Sequence, residues 1–167
     1  MDAKQIKKDR LRYTKNSLSA SLTYLAILAD VFYFVSIYKS DVGSYYYKWL
    51  IGVSIVYNLL FMMIAFLCSE GVKSYHFGYS VTLIVIGVLQ FVRTTIIPRQ
   101  ASAAVIKQYD AATNSNIEKV VMGQGQFTFV VACLVISGAL CIIAGVSGIV
   151  KCVTLNSYLK EIGAAEK

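Results

Sequence analysis

Four long apolar runs alternate with short polar segments along the chain. They occupy residues 17–38, 49–68, 77–97 and 127–150, and each has about 20 residues or more. At a rise of 1.5 Å per residue, about 20 helical residues cross the ~30 Å hydrocarbon core of a bilayer. Backbone groups in lipid must hydrogen-bond within their own segment, so each run is expected to be a helix. The pattern therefore predicts an all-α integral membrane protein, a four-helix (tetraspan) bundle over residues 17–150.

The longest polar segment lies between the third and fourth runs. Val105, Ile106 and Tyr109 recur there at helical spacing. The Thr-Asn-Ser-Asn sequence at 113–116 is typical of a turn. We therefore expect a helical hairpin or an interfacial cap over residues 99–126, on the outer side of the membrane.

Composition agrees with a membrane protein and locates the charge. The chain is 57% hydrophobic and 15% charged, whereas soluble domains average about 25% charged residues. Much of the net charge of +7 comes from a short basic segment before the first apolar run. Since this segment adjoins a membrane span, contact with anionic lipid is a better interpretation than nucleic-acid binding. Its basic residues are Lys4, Lys7, Lys8, Arg10, Arg12 and Lys15.

The distribution of basic residues also orients the spans. Residues 1–16 and 151–167 fall on one side of an even number of spans, and together they carry more Lys and Arg than the two opposite loops. The positive-inside rule then puts both termini in the cytoplasm, as a basic N-terminal tail and a short C-terminal tail. The preference for Lys over Arg and the short loops favour a multi-pass protein of a bacterial plasma membrane.

Polar residues interrupt three of the runs at a similar depth. At 1.5 Å per residue, Asp30 lies about 12 Å below the outer edge of its span and Asn58 about 13 Å. Gln90 and Arg93 lie about 10 Å and 6 Å below that edge, three residues apart on one helix face. An Asp30–Arg93 ion pair bracketed by the two amides is therefore expected, with Ser137 of the fourth span at the same level.

This intramembrane polar cluster has two interpretations. An ionisable group at the centre of a membrane helix costs roughly 2.5–3.5 kcal/mol, so it is usually paired or functional. A structural clasp would fix the register of the helices. A proton- or cation-coupled site would instead use Asp30 as the titrating group. Arg93 favours the clasp, because a paired carboxylate is not free to titrate.

The fourth run carries a stripe of small residues. Spacings of three and four place them on one side of a helix, where backbones can approach closely. The stripe is either packed inside the bundle or is an interface for a membrane partner. Its members are Ser137, Cys141, Gly145 and Gly148.

The sequence offers little for catalysis. It has a single histidine, His76, no CxxC pair, no phosphate-binding glycine loop and no metal-ligand spacing. We therefore expect no enzyme activity, no cofactor and no metal. The favoured function is a non-catalytic accessory or scaffold subunit that assembles with a larger membrane complex, such as a transporter, or with itself. The alternative is a small homo-oligomeric transporter or channel with its polar site around Asp30 and Arg93.

Overall fold

The computed structural model describes residues 3–39, 49–110 and 115–165. The described chain forms six helices and two strands. In chain order they are α1 (Ala3–Tyr13), α2 (Ser17–Tyr38), α3 (Trp49–Lys73), α4 (Phe77–Thr94), α5 (Ile97–Ala103), β1 (Val105–Asp110), β2 (Ser115–Val120) and α6 (Gln124–Ala165).

Four segments are long and apolar enough to cross a membrane, which confirms the predicted fold class. They are built on α2, α3, α4 with α5, and α6. In the apolar part of each span, between 33% and 44% of the residues are buried inside the bundle, so most of every span faces outward. The outward side chains are apolar as well: Leu28, Phe66, Val85 and Ile143 are each about half exposed. Lipid rather than water suits such a surface, and the protein is a multi-pass membrane protein.

The two ends of the bundle differ. At one end, here the terminal end, α1 lies against the last turns of α6, where Lys8 Nζ approaches Glu161 Oε2 at 3.4 Å. At the other, the hairpin end, α5, β1 and β2 connect α4 to the start of α6. Helix α1 and the last turns of α6 therefore lie at the same end of the bundle, as an even number of spans requires.

Helix α6 is longer than the sequence predicted. Its 42 residues span about 63 Å, roughly twice the thickness of a hydrocarbon core. The predicted tail at 151–167 is helical as far as Ala165, and the predicted tail at 1–16 contains α1. The extension is stabilised by contact between these two segments, because Tyr158 is 8% exposed and packs beside Lys8.

The expected helical hairpin over residues 99–126 is wrong. After the short helix α5, β1 pairs antiparallel with β2, with Val105 opposite Val120 and Asp110 opposite Ser115. β-Branched and aromatic residues are frequent in β1, and such side chains favour strands over helices. Ser115 and Asn116, the second half of the turn predicted at 113–116, begin β2 instead, and residues 111–114 lie outside the described residues.

The base of the hairpin is anchored in the bundle. Val121 N donates to Ala104 O at 3.1 Å, and Val121 and Met122 are almost fully buried. They pack in one apolar cluster with Ile97 and Ala101 of α5. Pro98 lies in the first turn of α5, where its missing N–H costs no helical hydrogen bond. The third span is therefore a helix to Thr94, a break, and the short helix α5.

Candidate functional site: a buried polar layer

An ion pair between the first and third spans lies at the centre of the candidate site. Arg93 Nη1 donates to Asp30 Oδ1 at 3.2 Å, and Gln90 Nε2 donates to the same oxygen at 3.1 Å. Asp30 and Gln90 are fully buried, and Arg93 is 5% exposed. Gln90 and Arg93 are three residues apart on α4, so one face of that helix presents both donors to α2. The structure thus brings together three of the four residues of the predicted cluster by direct contact.

Two aromatic rings enclose the Arg93 guanidinium. Its Cζ lies 4.3 Å from the ring centroid of Tyr33 and 4.7 Å from that of Tyr57. A guanidinium within about 6 Å of a ring centroid is attracted by the ring, the more strongly where water is excluded. Tyr33 was not predicted from the sequence to be part of the site. Its position in the sequence could have indicated it, because Tyr33 lies three residues after Asp30 and so shares a face of α2 with it.

Asn58 and Ser137 lie in the same layer but do not hydrogen-bond to the ion pair, and Asn58 approaches the Tyr38 side chain instead. Both are fully buried. Neither the Asn58 amide nor the Ser137 hydroxyl has a hydrogen-bond partner among the described residues. One turn closer to the hairpin end, Tyr38 donates its hydroxyl to Ser54 Oγ at 2.6 Å and so links α2 to α3.

The polar layer separates two apolar cores. The hairpin-end core lies on one side of it and the terminal-end core on the other. The hairpin-end core comprises Tyr33, Ile37, Ile97, Ala101, Val121, Met122, Val130, Cys133 and Leu134. The terminal-end core comprises Ala26, Phe61, Ala65, Cys68, Val72, Leu83, Ile86, Cys141 and Ala144. Ser137 falls between Leu134 of one core and Cys141 of the other, which places it level with Asp30.

The small-residue stripe of α6 is packed inside the bundle. All four of its members are buried. A Cβ placed on Gly145 would lie 2.6 Å from Ser80 O of α4, and one on Gly148 would collide with Ser80 Oγ. Gly138, beside the stripe, meets Gly87 of α4, where an added Cβ on either residue would lie 2.9 Å from the carbonyl oxygen of the other. The stripe is therefore the crossing between α4 and α6, and a partner would have to bind other faces.

A crevice of about 220 Å³ lies between α3 and α4 beside Arg93. Most of its wall is apolar, and several of its side chains are about half exposed, so it opens on the membrane-facing surface. It leads from that surface to Arg93 of the ion pair. Its lining is Val53, Ser54, Tyr57, Leu89, Val92, Arg93, Ile96, Ile97 and Gln100.

The basic N-terminal residues lie at the terminal end. Lys8 pairs with Glu161 at 3.4 Å, and Arg12 pairs with Asp9 at 3.7 Å along α1. Arg10 and Lys15 are exposed. The side chains of the other two, Lys4 and Lys7, lie outside the described residues.

A second polar contact, which sequence analysis missed, joins three elements at the terminal end. Asn16 is 1% exposed, and its Oδ1 caps α2 by accepting from Ser19 N at 3.5 Å. The same oxygen accepts from Lys151 Nζ of α6 at 2.7 Å, while Asn16 N donates to Lys73 O of α3 at 3.2 Å. The signal in the sequence was an Asn immediately before an apolar run, which is a helix N-cap pattern.

Replacing Asn16 with Ala is expected to lower the free energy of unfolding by about 1–2 kcal/mol, since it removes the cap. It also leaves Lys151 without this acceptor. Amide exchange in the first turn of α2 would report the loss directly. Thr14→Ala is the control, because Thr14 is exposed and belongs to the same connection. Equal unfolding and equal exchange in the two variants would show that Asn16 does not hold these elements together.

These features define a class: a polytopic α-helical membrane protein whose charged residues form a buried layer between two apolar cores. Within the described ranges, no three His, Cys, Asp or Glu side chains are grouped as ligands for a metal ion. No protein-family model matches the chain, and neither the curated proteins nor the solved structures include a match to it.

Proposed function

We propose that the protein is a non-catalytic accessory or scaffold subunit that assembles in the cell membrane with another integral membrane protein, such as a transporter. The observation that carries the proposal is the enclosure of Asp30 and Arg93. Each neutralises the other inside the bundle, and both are shielded from lipid. The parts left for interaction are apolar helix faces and the polar elements at both ends, which suit binding to another protein.

The apolar faces offer room for a partner within the membrane. On α3, for example, Leu60, Met63 and Leu67 are each about half exposed. The hairpin adds a polar surface beyond the membrane, where Lys107, Glu118 and Lys119 are exposed. A partner would bury a helix face and contact the hairpin at the same time.

The proposal includes an orientation and a membrane. The excess of basic residues at the terminal end favours the cytoplasm for that end, because cytoplasmic segments next to spans are rich in Lys and Arg. In that orientation the exposed Arg10 and Lys15 lie near anionic headgroups. A bacterial plasma membrane remains the favoured location.

Photo-crosslinking in native membranes tests the assembly. A photoreactive amino acid at Leu60, Met63, Val85 or Val146 would project from one of the outward faces. We expect adducts of one discrete mass from positions on one face, with an integral membrane protein identified in the adduct. Ala65 on α3 is the matched buried control and should give no intermolecular adduct.

The alternative outcomes separate the proposals. If the only adducts have twice the mass of the chain, the protein is a homo-oligomer and the accessory-subunit proposal is wrong. Monomeric protein without an adduct at any of the four positions would contradict assembly altogether.

A second candidate function is a small homo-oligomeric transporter or channel. The observation that favours it is the crevice between α3 and α4, because it leads from the membrane-facing surface to Arg93. In that case Asp30→Asn should abolish ion-coupled flux in proteoliposomes while the protein still inserts. If the unchanged protein shows no ion-coupled flux and Asp30→Asn only lowers its stability, the polar layer is a structural clasp.

A further inference from the structure

The polar layer contains more hydrogen-bonding groups than its direct contacts use. Of nine buried side-chain atoms without a hydrogen bond of 3.5 Å or less among the described residues, seven belong to this layer, although Tyr33 lies close to Arg93 and Asn58 close to Tyr38. They are Asp30 Oδ2, Tyr33 OH, Asn58 Nδ2, Asn58 Oδ1, Gln90 Oε1, Arg93 Nη2 and Ser137 Oγ. Polar groups enclosed between apolar cores are normally paired, with protein or with ordered water. Seven such atoms at one level therefore indicate a bound species.

The chemistry of these atoms selects that species. Asp30 Oδ2, Asn58 Oδ1 and Gln90 Oε1 only accept, and the orientation of Gln90 is fixed by its donation to Asp30. Asn58 Nδ2 and Arg93 Nη2 only donate, and the two hydroxyls do either. The two N–H donors and the positive charge of Arg93 would repel a metal cation. The three acceptor oxygens would repel an anion. A water molecule both donates and accepts, so it suits the whole set.

We propose that the polar layer is a binding site for about two to three ordered water molecules, at about three hydrogen bonds per water. These waters connect Asn58 of α3 and Ser137 of α6 to the Asp30–Arg93 pair. The layer thereby joins all four membrane-spanning helices through hydrogen bonds, although the direct hydrogen bonds of Asp30 join only α2 and α4. The inference is independent of whether the protein assembles with a partner.

The crevice runs from Arg93 to Gln100 of α5 at the hairpin end, so it offers the bound waters a path toward the membrane boundary. Arg93 lines the crevice and belongs to the layer, so its side chain separates the bound waters from the membrane-facing surface. Tyr57 stands at the same boundary, because it contacts the guanidinium and lines the crevice. Exchange therefore requires these two side chains to move.

Water-edited solid-state NMR of the full chain in lipid bilayers tests the site. Magnetisation passed from water should reach the Asp30 and Asn58 carboxyl and amide carbons at least twofold more strongly than Leu83 and Leu134, which are fully buried in the two apolar cores. Asn58→Leu should lower the transfer to Asp30 at least twofold. Thr23→Val is the matched control, because the buried Thr23 hydroxyl is already bonded to Ser19 O at 2.9 Å.

The unfolding midpoint gives a second readout, because a dry layer and a hydrated layer predict changes of opposite sign. In a dry layer, Asn58→Leu removes two unpaired polar groups and raises the unfolding midpoint. In a hydrated layer it removes partners of bound water and lowers the midpoint. Ser137→Ala is a smaller change and should shift the unfolding midpoint in the same direction. It replaces Asn58→Leu in the test if that variant does not accumulate as folded protein.

Three results would overturn the proposal. Transfer to Asp30 and Asn58 no stronger than to Leu83 would mean a dry layer, as would a rise in the unfolding midpoint of either variant. Signals or midpoints that change when Na⁺ is exchanged for K⁺ or choline, at constant ionic strength, would mean that a cation is the occupant.

Discussion

Asp30→Asn is expected to lower the free energy of unfolding by about 3–5 kcal/mol, because it leaves the Arg93 guanidinium without its counter-charge in a layer shielded from bulk water. Asn keeps the shape and can still accept from Gln90 Nε2, so the change removes charge with little change in packing. Titration with SDS in mixed micelles, followed by circular dichroism, would measure the loss. Asp30 is fully buried and its partner 5% exposed, so solvent screening reduces the effect little.

The pairing itself is tested by a double-mutant cycle. Arg93→Gln alone should also destabilise, since it strands the Asp30 carboxylate. Together, Asp30→Asn and Arg93→Gln should be less harmful than the sum of the single changes, with a coupling of about 2–3 kcal/mol. Glu161→Gln is the control, because the Lys8–Glu161 pair is exposed and such pairs contribute roughly 0–1 kcal/mol. Additive effects at Asp30 and Arg93 would refute the ion pair.

Depth along a helix can be read from a sequence, whereas rotation about its axis cannot. The rise per residue and the span limits place Asp30, Asn58, Gln90 and Arg93 at one level, and the structure puts them there. The Arg93–Asp30 contact follows from that level together with opposite charge. The direction in which Asn58 points depends on how α3 is rotated about its axis. Apolar residues occur on all sides of that helix, such as the exposed Leu60 and the buried Phe61, so the sequence does not determine the rotation. That Asn58 makes no hydrogen bond to the ion pair is therefore a finding of the structure alone.

The segments outside the membrane show where periodicity is ambiguous. Val105, Ile106 and Tyr109 fit helical spacing, but all three residue types also favour strands. Two six-residue runs separated by four residues that end in Thr113 and Asn114 were the better signal, since that is the layout of a hairpin. At the other end, charged residues after 150 suggested the end of a helix. The helix continues instead, and the contact of Tyr158 with α1 stabilises the extension. A contact between residues so far apart in the sequence leaves no local pattern from which it could be predicted.

The close crossing of α4 and α6 yields the second large effect. Gly145→Ala should lower the free energy of unfolding by about 1–3 kcal/mol, the usual cost of overpacking. An added Cβ would lie 2.6 Å from Ser80 O and 3.2 Å from Ile84 N, and both are backbone atoms that a side-chain rotation cannot move. The helices must separate to make room, and the same mixed-micelle titration would detect the loss. Gly52→Ala is the matched control, because a Cβ there has nothing within 4 Å and Ala is the better helix former.

Gly148 distinguishes a backbone clash from a side-chain clash at the same crossing. A Cβ on Gly148 would collide with Ser80 Oγ, a side-chain atom, whereas a Cβ on Gly145 meets Ser80 O. Adding Ser80→Ala should therefore recover most of the stability lost in Gly148→Ala and none of that lost in Gly145→Ala. Equal recovery in both backgrounds, or a Gly145→Ala variant as stable as Gly52→Ala, would mean that α4 and α6 do not cross at this distance. The faces of α6 now assigned to the interior would then be open to a partner.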